Sequence, residues 1–281
     1  MVALEKYQNK KIAVYGMGLT GCSVAIALKN LGSKVSCWDD NAKIRKKVKN
    51  VNFNKFWLSK DILDNIVISP GIDINKSKIK EYLKKNISKV ITDIDLFFDF
   101  NKEALIISIT GTNGKSTTCK IIEKILRLAK FNVKTVGNIG NPILSSSKKK
   151  KKSVYILEVS SYQLQYSKLF RSKHAAILNI SPDHLERHKN IKNYRNIKSR
   201  IFLDQKKSDY SYINMDNKLS HPLKKIFKNK KVKSKLTLVN RSKYDFLHKK
   251  INNKYFATKG NIENMIFAYK IAKNFKIKEK I

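Results

Sequence analysis

The stretch SITGTNGKSTTCK (108–120) gathers Gly111, Thr112, Asn113, Gly114, Lys115, Ser116 and Thr117 directly behind the apolar run EALIIS. Those residue types in that order suit phosphate binding. Successive backbone N–H groups among small residues form an anion nest. A lysine bridges β- and γ-phosphate oxygens, and a serine or threonine hydroxyl ligates Mg²⁺. The spacing G-x-x-G-K-S-T is shorter than the common G-x-x-x-x-G-K-[ST], because Ile109 stands where the longer loop has its first glycine. An ordinary Gly-Asn turn accounts for the glycines but not for a strand before them and a helix after.

A second glycine loop, GMGLTG (16–21), follows KIAVYG and opens a helix, with Asp39 at the end of the next strand. This fits G-x-G-x-x-G, in which the backbone approaches a pyrophosphate at a helix N-terminus and an acidic residue meets a ribose. Alone it would suggest an NAD(P)-dependent oxidoreductase, or a tight turn that binds nothing. That reading leaves GTNGKST unexplained, and also Glu158, which ends the apolar strand SVYILEV. A carboxylate there is costly unless paired or metal-bound, so Glu158 is a candidate Mg²⁺ ligand. In NISPDHLERH (179–188), His184 and His188 are four apart, but HLERH is not HExxH, which argues against a zinc protease. His184 suits either a Mg²⁺–nucleotide site or the surface; His188 is expected at the surface. Lys198 reads as one of many lysines on a solvated helix.

The elements that must position these groups alternate. KIAVYG (11–16), KVSCWDD (34–40) and NIVISPGI (65–72) read as strands, and VITDIDLFFDF (90–100) leads out of a first unit. ALIISIT (104–110), NVKTVGNIG, SVYILEVSS (153–161), HAAILNIS (174–181), YSYINMDN (210–217) and KLTLVN (235–240) form a second set, with helices at 115–130 and 261–275. Strand–helix alternation predicts α/β architecture with parallel sheets. The expected organisation is a Rossmann-like domain over 1–101 and a P-loop-containing α/β domain over 102–281.

The formal net charge of +39 comes from 60 Lys+Arg against 21 Asp+Glu. It raises the alternative of a nucleic-acid-binding NTPase, but the lysines are spread throughout, with KKKKK (148–152) read as a solvated loop, and no specific nucleic-acid partner is expected. No apolar run is long enough to span a bilayer. KKIAVYGMGLTGC imitates a lipoprotein leader, but Gly16, Gly18 and Gly21 interrupt its apolar stretch. Cys22, Cys37 and Cys119, without CxxC spacing, suit reduced thiols in a cytoplasmic protein.

GMGLTG, SPGI, TGTNGKST, GNIG, EVSSYQL, LNISPDHLERH and YRNIKSRIF stand in an order that resembles the Mur ligases, over about residues 10–205. The resemblance implies a cytoplasmic, monomeric, ATP- and Mg²⁺-dependent amide-forming ligase of peptidoglycan synthesis. It would add D-glutamate to UDP-N-acetylmuramoyl-L-alanine through an acyl phosphate; a Mur ligase adding another amino acid is the close alternative. The first domain would then bind UDP rather than NAD, with Leu19, Thr20, Asp39 and Gly71 at the uridine diphosphate. Asn138, Ser160 and Gln163 would lie near the UDP-substrate. Gly111 to Thr117, Asn261 and Asn264 would hold ATP, with Lys115, His184 and Lys198 as catalytic groups. Ser116, Glu158, His184 and Lys198, the last as a carbamate, would be Mg²⁺ ligands. In KGNIEN, Gly260 stands where the family pattern has His. The sequence ends at Ile281, where the family's central domain ends, so a third domain is expected to be missing and ligation by this chain alone to be poor or absent.

Overall fold

The computed structural model describes residues 2–60, 62–137, 143–146, 153–229, 231–244, 253–254, 257–275 and 277. The chain divides into two compact units. The first runs to Lys102 and also takes in Ile143–Ser146 and Tyr166–Phe170; the second comprises most of the chain from Glu103 onward.

In the first unit, β1 (Lys11–Tyr15), β2 (Lys34–Trp38), β3 (Asn65–Ile68) and β4 (Val90–Ile91) form a sheet of order β2-β1-β3-β4 with every pair parallel. Ala13, Tyr15, Ile66 and Ile68 feed one core with Phe56, Leu83 and Val90. The run 90–100 is mostly helical. After two strand residues, Thr92 and Asp95 make a capping box that starts the helix Asp93–Phe100. Asp95 also accepts from the hydroxyl of Ser167 and from the backbone N–H groups of Lys168 and Leu169.

The second unit holds β5 (Leu105–Thr110), β6 (Val133–Gly137), β7 (Val154–Glu158), β8 (His174–Ile177), β9 (Tyr210–Asn214) and β10 (Lys235–Val239), in the order β10-β9-β8-β5-β7-β6 and again wholly parallel. Parallel strands covered on both faces are continuous apolar runs, and β5 and β7 are buried almost throughout. Cys119, Ile122 and Leu126 of the helix Lys115–Leu128 share a core with Ile262, Ile266, Phe267 and Ile271 of the helix Lys259–Lys273. Because β5 and β7 are central, the segments leaving their C-terminal ends meet at one edge of the sheet, where parallel α/β folds place ligands.

At the start of β8, His174 stacks on Tyr210, Tyr212 and Phe275, and its Nδ1 lies 3.0 Å from the Tyr212 hydroxyl. Burial, with Lys173 adjacent, lowers its pKa to about 4. Between its ordinary value near 6.5 and about 4, the unfolded chain binds a proton that the folded chain refuses, so stability falls as pH falls. His174→Phe is expected to remove up to about 1.4 kcal/mol of that loss per pH unit. Urea denaturation of both proteins between pH 4 and pH 7 checks this; identical pH slopes would show that His174 is not the group responsible.

Candidate functional site

The loop after β5 is built around Gly114, which has φ +83° and caps the helix Lys115–Leu128. A Cβ there would lie 2.3 Å from Oδ1 of Asn264, so glycine is required both by the left-handed backbone and by the close approach of Asn264. The helix begins immediately after it, and its first N–H groups have no intrahelical partners. Asn179 fixes the loop from β8: its Oδ1 accepts from Asn113 N–H at 2.9 Å, and its Nδ2 donates to the Asn113 carbonyl at 3.1 Å. The Thr112 hydroxyl accepts from Ser181 N–H at 3.0 Å and lies 3.3 Å from the Tyr194 hydroxyl. Lys115 Nζ folds back onto the carbonyls of Gly111 and Thr112, at 3.1 and 2.9 Å.

Two groups expected to act together meet at the start of this helix. The Ser116 hydroxyl donates to Glu158 Oε2 at 2.6 Å, and Glu158 is 3% exposed at the end of β7. Register places Glu158 beside Gly137 of β6 (φ +119°), where a Cβ would stand 2.4 Å from the Glu158 carbonyl oxygen. A hydroxyl and a carboxylate side by side are the hard oxygen donors that Mg²⁺ prefers, so these residues fit that ion.

Lys198 corrects the reading of a solvated lysine: it is 2% exposed. Its Nζ donates to the Gly111 carbonyl at 2.9 Å and lies 4.6 Å from the centroid of the Tyr194 ring. Burial, then the charge of Lys115 on the same carbonyl, lowers its pKa to about 7. The helix Ile191–Ser199 turns Tyr194 and Lys198, four apart, to the same buried side; that spacing was the available signal for Lys198.

His188 is a second correction. It is expected at the surface, yet it is 2% exposed, with Nε2 3.0 Å from the Ser161 hydroxyl. Lys189, at φ +70°, ends the short helix Leu185–His188, so the segment is not one continuous helix and His188 turns inward. His184 remains partly exposed in a left-handed conformation, beside Asp183 (3.3 Å) and Glu186 (3.8 Å). Among the described residues no group of three His, Cys, Asp or Glu is placed to hold a metal ion.

Ser160 and Gln163 pair with each other: Gln163 Oε1 accepts from Ser160 N–H at 3.0 Å, and the Ser160 hydroxyl accepts from Gln163 N–H at 3.2 Å. This is a capping box on the helix Ser161–Tyr166. Asn264 is buried, with its amide 3.4 Å from Asn261 Oδ1, and a Cβ on Gly260 would meet nothing. Asn138 and the lysine run 148–152 lie outside the described residues.

In the first unit, Gly16 (φ +92°) turns the chain beneath Ser69 and Ile72, and a Cβ on Gly21 would overlap the Gly16 carbonyl. Gly18 and Gly71 have open space where a Cβ would be. Asp39 is buried and holds the loop, accepting from Met17 N–H at 2.6 Å and Asn41 N–H at 2.8 Å. Leu19 projects from the first turn, 80% exposed, with Thr20 beside it.

The chain is thus built as two parallel α/β units with glycine loops at strand–helix junctions, one loop backed by a buried lysine and a serine–carboxylate pair. The model of the Mur ligase middle domain matches residues 109–279, and that of the Mur ligase MurD-like N-terminal domain matches residues 10–91. The chain belongs to the Mur ligase family. It is 40% identical over 258 residues to a UDP-N-acetylmuramoylalanine–D-glutamate ligase of Rickettsia bellii, covering 89% of this chain and 55% of that protein. It is 38% identical to the enzyme so named in Caldicellulosiruptor saccharolyticus, covering 76% and 50%. The chain thus spans about half the length of the curated relatives it matches. In fold it is similar to a UDP-N-acetylmuramate:L-alanyl-gamma-D-glutamyl-meso-diaminopimelate ligase from Neisseria meningitides (TM-score 0.59, 12% identity, 95% of this chain and 94% of that one). No helix among the described residues is long and apolar enough to cross a membrane.

Proposed function

We propose that this chain supplies the UDP-substrate-binding and ATP-binding parts of a cytoplasmic, monomeric ligase that joins D-glutamate to UDP-N-acetylmuramoyl-L-alanine. In this reading residues 1–101 are a Rossmann-like UDP-binding domain and residues 102–281 the P-loop ATPase domain. The substrate carboxylate takes the γ-phosphoryl group of ATP. The amine of D-glutamate then attacks the acyl phosphate, the C–N bond forms, and phosphate leaves.

The observation that carries this reading is Lys198, buried and donating to the Gly111 carbonyl of the phosphate loop. An amine whose pKa sits near neutrality is nucleophilic at physiological pH, and reaction with CO₂ would make it a carbamate. A dinucleotide oxidoreductase has no use for such a group beside a second glycine loop. Gly114 and the first N–H groups of the helix Lys115–Leu128 would receive the β- and γ-phosphates, with Lys115 released from the loop carbonyls onto them. Thr117, Asn261 and Asn264 would complete the ATP side. Mg²⁺, when bound, would neutralise phosphate charge; Ser116, Glu158, carbamylated Lys198 and His184 would hold it. Leu19, Thr20, Asp39 and Gly71 would contact the uridine diphosphate, with Asn138, Ser160 and Gln163 near the rest of that substrate.

Calorimetric titration tests the proposal. The chain is expected to bind ATP in the presence of Mg²⁺ and UDP-N-acetylmuramoyl-L-alanine independently. Glu158→Ala is expected to weaken Mg²⁺-dependent ATP binding at least about tenfold, equivalent to the loss of one charged contact, and to spare the UDP-substrate. Binding of NAD⁺ with no affinity for the UDP-substrate would overturn it.

A further inference from the structure

Strand β9 ends on a polar residue that the function above leaves without a role. Asn214 is 1% exposed, and a side-chain amide so placed is costly unless its groups find partners. They do. Its Nδ2 donates to the Leu178 carbonyl at 2.8 Å and to Glu263 Oε2 at 2.9 Å, and its Oδ1 accepts from Asp216 N–H at 2.8 Å. A nitrogen that faces one carbonyl and one carboxylate cannot trade places with the amide oxygen, so the amide has one orientation. The two acceptors belong to the two segments that touch the phosphate loop. Leu178 and Asn179 brace its start: Leu178 N–H donates to the Thr110 carbonyl at 2.9 Å, and Thr112 N–H donates to the Asn179 carbonyl at 3.1 Å. The helix Lys259–Lys273 braces its end. There Glu263 precedes Asn264, whose Oδ1 comes within 2.3 Å of the place a Cβ on Gly114 would take. Asn214 bridges these two segments.

We propose that Asn214 is a positioning residue for the nucleotide: by holding Glu263 it sets the start of the helix Lys259–Lys273 against the phosphate loop, and so places Asn261 and Asn264 for ATP. This role depends on the ATP site proposed above. The apolar side of that helix, through Ile262 and Ile266, packs on the helix Lys115–Leu128. Apolar contact is non-directional, whereas a buried amide with every partner met specifies one arrangement. Without the bridge the helix keeps its packing but loses the tie that fixes its first turn. ATP must then select the competent arrangement from several, and the apparent affinity falls by the fraction that is competent. Gln205 offers a comparison on the same strand. It is also buried, and its Nε2 donates to the carbonyls of Ser172 at 3.0 Å and Tyr210 at 3.1 Å. Tyr210 begins β9, at the end of the sheet away from the loop.

Calorimetric titration of ATP with Mg²⁺ into the intact chain and its variants is the test. Asn214→Ala is expected to weaken ATP binding at least about tenfold, as when about one molecule in ten holds the competent arrangement. Asn214→Asp can only accept toward Glu263 and is expected to lose at least as much. Adding Glu263→Gln returns a donor to that contact, and N214D/E263Q is expected to recover at least about threefold over N214D, with Glu263→Gln alone measured to close the cycle. Gln205→Ala removes the other buried amide. It is expected to lower stability in urea while ATP affinity stays within about twofold, as for a site that shares no partner with the loop. Far-ultraviolet circular dichroism checks that each variant is folded. An Asn214→Ala variant that binds ATP as its parent does would overturn the positioning role, as would an equal loss in Gln205→Ala, which would assign the effect to general destabilisation. No recovery in N214D/E263Q would overturn Glu263 as the route. A parent that binds no ATP would overturn the nucleotide reading itself, whatever the variants do.

Discussion

Gly137→Ala is expected to destabilise the chain by at least about 3 kcal/mol, the upper part of the range for a non-glycine residue held in a forbidden backbone conformation with an added steric clash. Gly137 has φ +119°, which L-residues other than glycine rarely adopt. An added Cβ would also stand 2.4 Å from the Glu158 carbonyl oxygen and 3.1 Å from its nitrogen. Neither atom can retreat cheaply, because Gly137 and Glu158 are register partners in the β6–β7 ladder and Glu158 ends a wholly buried strand. Whatever relaxation occurs must displace Glu158, whose carboxylate accepts from Ser116. Stability and Mg²⁺-dependent ATP affinity should therefore fall together. Gly260→Ala is the control: that glycine is helical and its Cβ would meet nothing, so a gain of about 0.5–1 kcal/mol is expected. Chemical denaturation of the three proteins decides the matter; a Gly137→Ala variant as stable as its parent would show that β6 is not held this close to β7.

This constraint illustrates what was legible in the sequence. The strands and the two glycine loops were readable because parallel strands are dense apolar runs and the loops concentrate glycine at strand–helix junctions. Ser116 and Glu158, each read from the sequence as a candidate Mg²⁺ ligand, lie within hydrogen-bond distance of each other. Less legible were residues whose role depends on a partner distant in sequence. Asn179 lies within NISPDHLERH, but nothing local says that its amide clamps Asn113 across 66 positions. Lys198 was hidden by composition: in a chain with 60 Lys and Arg, one more lysine carries no information until its neighbours bury it. His188 was misplaced because the break at Lys189, a left-handed non-glycine residue, has no composition signal. The helix Asp93–Phe100 was obscured by its apolar content, although Thr92 and Asp95 have the spacing of a helix start.

Lys198→Met is expected to abolish ligation in any assembly that contains this chain, while leaving the chain at least as stable as its parent at pH 7. The two effects have one origin. The folded protein holds the amine in a buried place, beside the charge of Lys115, with a pKa of about 7, whereas an unfolded lysine titrates near 10.4. Between those values the unfolded chain carries a proton that the folded chain does not, so stability rises with pH, by up to about 1.4 kcal/mol per unit. Below pH 7 both states are protonated and the contribution is level at its least favourable. Methionine has a similar length and no charge to desolvate, so the variant should lack this slope. Its advantage should be largest at pH 7 and shrink toward pH 9. The Gly111 carbonyl loses one donor but keeps Lys115, which limits the offsetting loss. Urea denaturation in CO₂-free buffer across that range distinguishes the slopes; parallel profiles would mean that Lys198 stays protonated in the folded chain. Adding ¹³C-bicarbonate to the parent near pH 8 should then produce a carbamate carbon resonance that Lys198→Met lacks. Its absence would remove the chemical reason for burying a lysine against the phosphate loop, and with it the main support for an acyl-phosphate-forming site.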